Sequence, residues 1–368
     1  MSKKNRILMG ICLIALIGLG IITSSAFAAD LSFSVETKLP KNQRSKSSYF
    51  DLDMKPGQTQ NLEIEVNNYT DKEITVEGII NPATTNINGV VEYGKSNTEL
   101  DKTAPYNIKD IAKPKKEELT IPAKGVATYE IEVKMPEKEF DGILAGGITF
   151  SEVVKEDKKA KQKEEQQQGM AIENRYSYAL ALLLRENEKA LDSNLLLTKV
   201  AADQVNVRNV ISSDIQNPVA KYLNKLEVNY YVTKKDKSEK LYEESKKDIQ
   251  MAPNSTMHLP LSLNGEKLVA GKYTMHIDAK AKEDSWKLEK DFEITAKEAK
   301  KLNEQDVSIE KDNTMMYVVI AFVCLIVLFL IILFFVLKRQ KKQSSKELKK
   351  QNKGNRKTHK KTSKNKKK

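Results

Sequence analysis

Asn61–Asn67 reads NLEIEVN, with Leu62, Ile64 and Val66 alternating with Asn61, Glu63, Glu65 and Asn67. Successive strand side chains point to opposite faces, so a period of two puts the apolar residues on one side and leaves the other wet. The same period recurs in Glu73–Glu77, Thr128–Lys134, Leu226–Val232, Met257–Leu261 and Tyr273–Ala279. Turn signals separate the runs: Lys55-Pro56-Gly57, Asn81-Pro82, Asn88-Gly89, Ile121-Pro122, Asp141-Gly142, Asn217-Pro218, Pro253-Asn254 and Asn264-Gly265. Short half-buried strands at this spacing, with almost no helical periodicity, predict an all-β fold of two tandem immunoglobulin-like β-sandwiches.

Counting strands divides the chain. From Leu195 on the pattern predicts Leu195–Val200, Val205–Ile211, Leu226–Thr233, Lys240–Gln250, Met257–Leu263, Gly271–Lys280 and Trp286–Thr295, enough for one sandwich. The first half lacks a closing strand after Phe150, and Tyr176–Leu183 (YSYALALL) can supply it. Lys155–Gly169 (KEDKKAKQKEEQQQG) is too charged to bury apolar area. Two arrangements are open: a hairpin tip projecting from the first sandwich, or an interdomain linker that gives the Tyr176 strand to the second. The halves also resemble weak repeats, since Ile143–Ile148 (ILAGGI) and Leu268–Tyr273 (LVAGKY) each enter a strand after a Pro-led turn and an earlier strand.

The ends place the chain. Lys3, Lys4 and Arg6 precede an apolar run, Ile7–Ile22, and the small-x-small site Ala26-Phe27-Ala28, so residues 1–28 are expected to be a signal peptide. Tyr317–Leu337 contains no charge and is long enough for a transmembrane helix of about 30 Å. The basic residues from Lys338 place the tail in the cytoplasm and the long middle outside. The tail, 338–368, carries 16 Lys/Arg against Glu347 alone, a balance of +15, and the extreme N-terminus adds +3. Since the whole chain carries +12, the remainder is left at −6: the basic character belongs to the tail. A tail without aromatics to stack on bases is expected near anionic lipid and not on nucleic acid.

The expected organisation is a signal peptide (1–28), a first sandwich over 30–189 and a second over 190–298, followed by a stalk (299–316), the transmembrane helix (317–337) and a disordered basic tail (338–368). Within the first sandwich the core runs to about 155, the charged loop covers 155–169 and the closing strand 175–185.

Chemistry is sparse. Cys12 falls in the signal and Cys324 in the span, which leaves no cysteine outside. His258 and His276 both fall on wet strand faces, with Asp278 the only acid at ligand spacing. No Gly-x-Ser-x-Gly, P-loop or dinucleotide fingerprint occurs. Asp51 and Asp53 lie two apart on one strand, but glycosidase carboxylates come from separate elements. A non-enzyme is expected, with no catalytic, cofactor or metal residues. Tyr49, Tyr69, Tyr93 and Tyr106 accompany Asn67, Asn68, Asn81, Asn86 and Asn88 in the first half, a composition suited to carbohydrate; each taken singly reads as a core cap or a turn residue. Trp286, in phase with Leu288, is expected to pack, and Lys234–Lys247 to form a solvated hairpin.

Leu52-Asp53-Met54-Lys55-Pro56-Gly57-Gln58-Thr59, Gly146–Phe150 (GGITF), Asn174–Ala179 (NRYSYA), Ala270–Ile277 (AGKYTMHI) and the close at Trp286, Asp291-Phe292, Ile294-Thr295 and Glu298-Ala299 follow in order. With the signal, span and basic tail, this order resembles the WxL-interacting protein family of Gram-positive bacteria over essentially the whole chain. The resemblance implies a peptidoglycan-binding first domain and a second domain that binds a host or extracellular-matrix protein. It also implies a surface complex with WxL-domain proteins. It carries over no binding residue. The expected function is a membrane-anchored cell-surface scaffold for adhesion. A cell-wall hydrolase or transferase, and a single-span surface receptor, are the alternatives.

Overall fold

A computed structural model describes residues 31–94, 99–153, 176–309 and 314–364 of the chain. The expected signal peptide and the charged loop 155–169 lie outside the described residues.

The first sandwich packs a four-stranded sheet on a five-stranded one. The former runs β1 (Phe33–Lys38), β3 (Thr59–Asn68), β9 (Val126–Lys134), β7 (Ala112–Pro114). The latter runs β2 (Phe50–Asp53), β11 (Ser177–Arg185), β10 (Leu144–Glu152), β4 (Ile74–Pro82), β8 (Glu118–Ile121). The alternating positions behave as the period requires: Leu62, Ile64 and Val66 of β3 and Tyr129, Ile131 and Val133 of β9 are all buried between the sheets. Tyr129 donates its hydroxyl to the Gly78 carbonyl (3.0 Å) and meets Phe150 edge-on at 5.1 Å, so its polar tip is satisfied inside the core. A short helix, α1 (Ile108–Ile111), capped by Asn107, buries Ile108 and Ile111, and a two-stranded hairpin, β5 (Thr84–Thr85) with β6 (Val91–Glu92), stands off the sheets.

The second sandwich has β12 (Leu196–Val205), β13 (Arg208–Asn217) and β16 (Ser255–Ser262) facing β15 (Lys240–Met251), β14 (Leu223–Lys234), β17 (Gly271–Ala281) and β18 (Asp284–Ile294). Strand order exposes the repeat: β1-β3-β9 corresponds to β12-β13-β16, and β4-β10-β11 to β14-β17-β18. Tyr230 occupies the second core as Tyr129 does the first, its hydroxyl reaching the Glu244 carboxylate (2.7 Å) and the Pro260 carbonyl (3.0 Å).

Two places differ from expectation. The alternation over 205–211 predicts one strand, but the chain reverses at Asn206 and Val207, both at positive φ (50° and 59°), between β12 and β13. Val207 is apolar yet exposed at this turn, which is why the pattern misleads. The residues expected to begin the stalk, helical in composition, pack back on the second sandwich as α2 (Ala296–Gln305), which opens on a Thr295–Glu298 capping box, buries Ala299 and clamps Leu268 through the Asn303 side chain. The last helix, α3, runs from Thr314 to Lys364. Its first part, Thr314–Arg339, holds an 18-residue stretch of mean hydropathy 3.6 and is the one described helix long and apolar enough to cross a membrane. Residues to Asp306 form one compact unit and Val307–Lys368 another.

Candidate functional site at the junction of the sandwiches

The β5–β6 hairpin reaches from the first sandwich onto the second. Its turn is drawn tight by Asn86, whose side-chain Oδ1 accepts from the amides of Asn88 and Val90, 2.9 and 3.1 Å away. Gly89, at φ +75°, then lies against β15: a Cβ there would stand 2.7 Å from the Ile249 side chain, and the Gly89 carbonyl accepts from the Gln250 amide. At the base of the hairpin the Thr85 hydroxyl accepts from the Ala252 amide (3.0 Å) and shares a bond with the Ser255 hydroxyl (2.8 Å), all in the dry interior. Lys246 donates to the Ile87 carbonyl (3.0 Å).

A second latch is Asp101. Its carboxylate accepts from both Gln216 (2.8 Å) and Thr256 (3.1 Å) of the second sandwich. Burial works to raise its pKa, but the bonds from Thr103, Gln216 and Thr256 outweigh that and hold the carboxyl below its ordinary value. The apolar part of the junction buries Ala83, Ala145, Leu183 and Ala252 among Tyr49, Tyr93 and Tyr222. Burial pushes the Tyr222 phenol far above its ordinary pKa, so it stays protonated in its contact with the Tyr93 hydroxyl (3.3 Å).

Two hollows flank this weld, each lined by both sandwiches. A cavity of ≈ 360 Å³ has Asn81, Asn86 and Tyr106 on one side and Asn254, Thr256 and His258 on the other. A more open groove of ≈ 690 Å³ is walled by Tyr49, Tyr93 and Tyr222. Both volumes fall in the range of ligand sites.

The Tyr and Asn residues singled out in the sequence therefore separate into three groups. Asn81, Asn86 and Tyr106 meet at the cavity, while Tyr49 and Tyr93 meet at the groove. The others serve structure or stand apart. Asn68 is buried and staples a turn, donating to the carbonyls of Lys72 and Pro122, both at 2.8 Å. Tyr69 is exposed and bonds Ser34; Asn67 is half-buried on β3 opposite Val126; Asn88 belongs to the hairpin turn.

The remaining candidates have local partners. Asp51 is ion-paired with Arg185, and Asp53 with Arg44 (2.7 Å), so the two acids hold different arginines and not one substrate. His276 stacks on Tyr231 at 4.6 Å and bonds Glu289 (3.0 Å). His258, at the cavity rim, bonds Asp214 of the neighbouring strand (2.6 Å), and that bond raises its pKa. Trp286 packs half-buried on the second core. Tyr222, Arg185, Lys221 and Asp101 carried no signal in sequence, because their roles arise only across the junction.

Residues 33–152 match the peptidoglycan-binding domain of the WxL-interacting proteins, and residues 167–304 match their host-binding domain. The chain belongs to the WxL-interacting protein family. The two domains of this WxL-interacting protein are thus of binding types, peptidoglycan-binding and host-binding. The second match begins ahead of β11, a strand that pairs with β10 and β2 in the first sandwich's sheet. No curated protein matches the sequence. Solved structures similar to this family member include the YadV chaperone, 9% identical over 72% of this chain and 100% of that one, with a TM-score of 0.30. The E. coli chaperone DraB is 13% identical over 72% and 98%, with a TM-score of 0.27. The seventh PapD-like domain of human CEP192 is 11% identical over 43% and 87%, with a TM-score of 0.24. At these scores the likenesses carry no inference about mechanism.

Proposed function

We propose that this chain is a non-enzymatic scaffold of the cell surface, anchored by Thr314–Arg339, that holds peptidoglycan and a surface protein of the WxL type on one rigid body. A host or extracellular-matrix protein is its further partner. The observation that carries this is the order of parts: two binding-domain matches in tandem, then a helix apolar enough to span a bilayer. Orientation follows from charge, since the basic residues beyond Leu337 favour a cytoplasmic tail and place both sandwiches outside, within the wall. The first 28 residues are read as the signal that exports them. We assign the first sandwich to residues 30–189 and the second to 190–298.

The test uses the full chain in detergent micelles, incubated with insoluble peptidoglycan and separately with a wall-protein extract. Co-sedimentation without release of soluble muropeptides, together with capture of a WxL-domain protein, is expected. Release of soluble fragments in step with protein concentration would make it a wall hydrolase instead. Failure to retain either wall or protein would end the scaffold reading.

A further inference from the structure

Strand β11 is flanked by β10 from Ser177 to Leu184, but by β2 only from Leu182 to Arg185. The Met54 amide donates to the Arg185 carbonyl at 2.8 Å, so Arg185 turns its backbone groups toward the β2 side. Those directions alternate along a strand, so Ala181, Ala179 and Ser177 present N–H and C=O to the same side. The ladder that pairs Leu182 with Phe50 already takes the Ala181 carbonyl; no described residue pairs with Ala179 or Ser177 on that side. The open edge of about four residues is within the range of ordinary strand lengths.

Part of this edge, Ala179 and Leu180, lines the ≈ 690 Å³ groove with Ala181 and the three tyrosines. Arg185, Lys221 and Lys282 also line it, against one acid, Asp51, which Arg185 already holds. Lys221 donates to the neutral Leu191 carbonyl (2.9 Å) and Ser193 hydroxyl (3.1 Å), and among the described residues Lys221 and Lys282 make no ion pair. Two cations without an ion pair among the described residues therefore line the groove, Lys221 with its ammonium held at the rim by Leu191 and Ser193, in a part of the chain whose net charge is negative.

A long edge of the second sandwich behaves differently. β18 carries Lys287, Glu289, Lys290, Asp291 and Glu293, and charges of this kind guard an edge against pairing. Ser177–Ala181 (SYALA) carries none.

We propose that the groove takes an extended polypeptide of a partner protein as an added strand on β11, with a carboxylate of that polypeptide bound by Lys221 and Lys282. Backbone pairing supplies affinity, the tyrosine walls select small or flat side chains, and the lysines select charge. The proposal rests on the reading that this chain binds a surface protein. The carboxylate is either an acidic side chain or a free C-terminus.

The test uses the full chain in detergent micelles and synthetic peptides of about eight alternating Val and Thr residues. One ends in Asp with an amidated terminus, one has a free C-terminal carboxylate, and one is neutral. The first two are expected to protect the amides of Ser177, Ala179 and Ala181 from hydrogen exchange; the better of them identifies the carboxylate. Ala179→Pro removes an N–H that faces the groove without touching β10 and should weaken binding about tenfold. Lys282→Glu, on an exposed turn, should weaken the charged peptides and leave the neutral one unchanged; it decides the matter if Ala179→Pro fails to fold.

Protection of another strand, or equal affinity in both variants, would overturn the proposal. So would protection by N-acetylglucosamine tetramer but by no peptide. If both variants capture wall proteins as well as the parent chain does, the groove is wrong while the scaffold reading stands.

Discussion

Gly142 has φ +85°, and a Cβ added to it would stand 2.3 Å from the Ala220 carbonyl oxygen of the second sandwich. Gly142→Ala is expected to lower stability by about 1–3 kcal/mol, read as a fall in thermal midpoint, whereas Gly94→Ala, with no atom within 4 Å, should leave it unchanged. His258 makes a second residue-level prediction. Its bond to Asp214 raises its pKa above 6.5, so the stability it contributes is fully present below pH 6.5 and lost as pH rises through the folded value. An NMR titration should find the His258 midpoint above 6.5, and Asp214→Asn should bring it down; no change in that variant would remove Asp214 as the cause. The partner was not legible in sequence, because Asp214 is separated from His258 by 44 residues and meets it only through β13–β16 register. Asn68 was legible, since an Asn beside a turn most often serves that turn.

Elements were read well where their pattern is local. β3, β4, β9, β14, β16 and β17 all bury the residues that the period of two selects. The boundary between β12 and β13 was misplaced because Val205 and Val207 keep the alternation through a turn. The β5–β6 hairpin shows what an element does beyond its own pattern: Asn88-Gly89 signalled a turn, but its docking on β15 did not. Thr85→Val keeps the shape and strips the Ala252 amide of its buried acceptor, at a cost of about 1–3 kcal/mol. Hydrogen exchange at Ala252 should accelerate by a matching factor, and an unchanged rate would show that the hairpin does not bear on the junction. In α2, Thr295→Ala removes one half of the capping box and should cost about 1 kcal/mol in chemical denaturation.

At the scale of the molecule the two sandwiches are joined by a buried core, the Asp101 latch and the hairpin, and they form one compact unit. They are expected to unfold in a single calorimetric transition, with tyrosine absorbance and backbone circular dichroism moving together. Thr85→Val combined with Asp101→Ala should split that transition in two. Two separate transitions in the parent chain would refute a rigid junction.

The chain's linear order sufficed for the properties that depend on near neighbours: the strand period, the turns, the apolar helix and the segregation of positive charge into the tail. The same order identified the family, whose marks are turns and strands. The cavity and the groove came from the tertiary structure alone. Tyr93 and Tyr222 are 129 residues apart and meet because strand pairing folds each sandwich and the hairpin then fixes one on the other. A one-dimensional pattern tells which face of a strand is buried, but not against which distant strand; that choice is made by packing, and both hollows exist only once it is made.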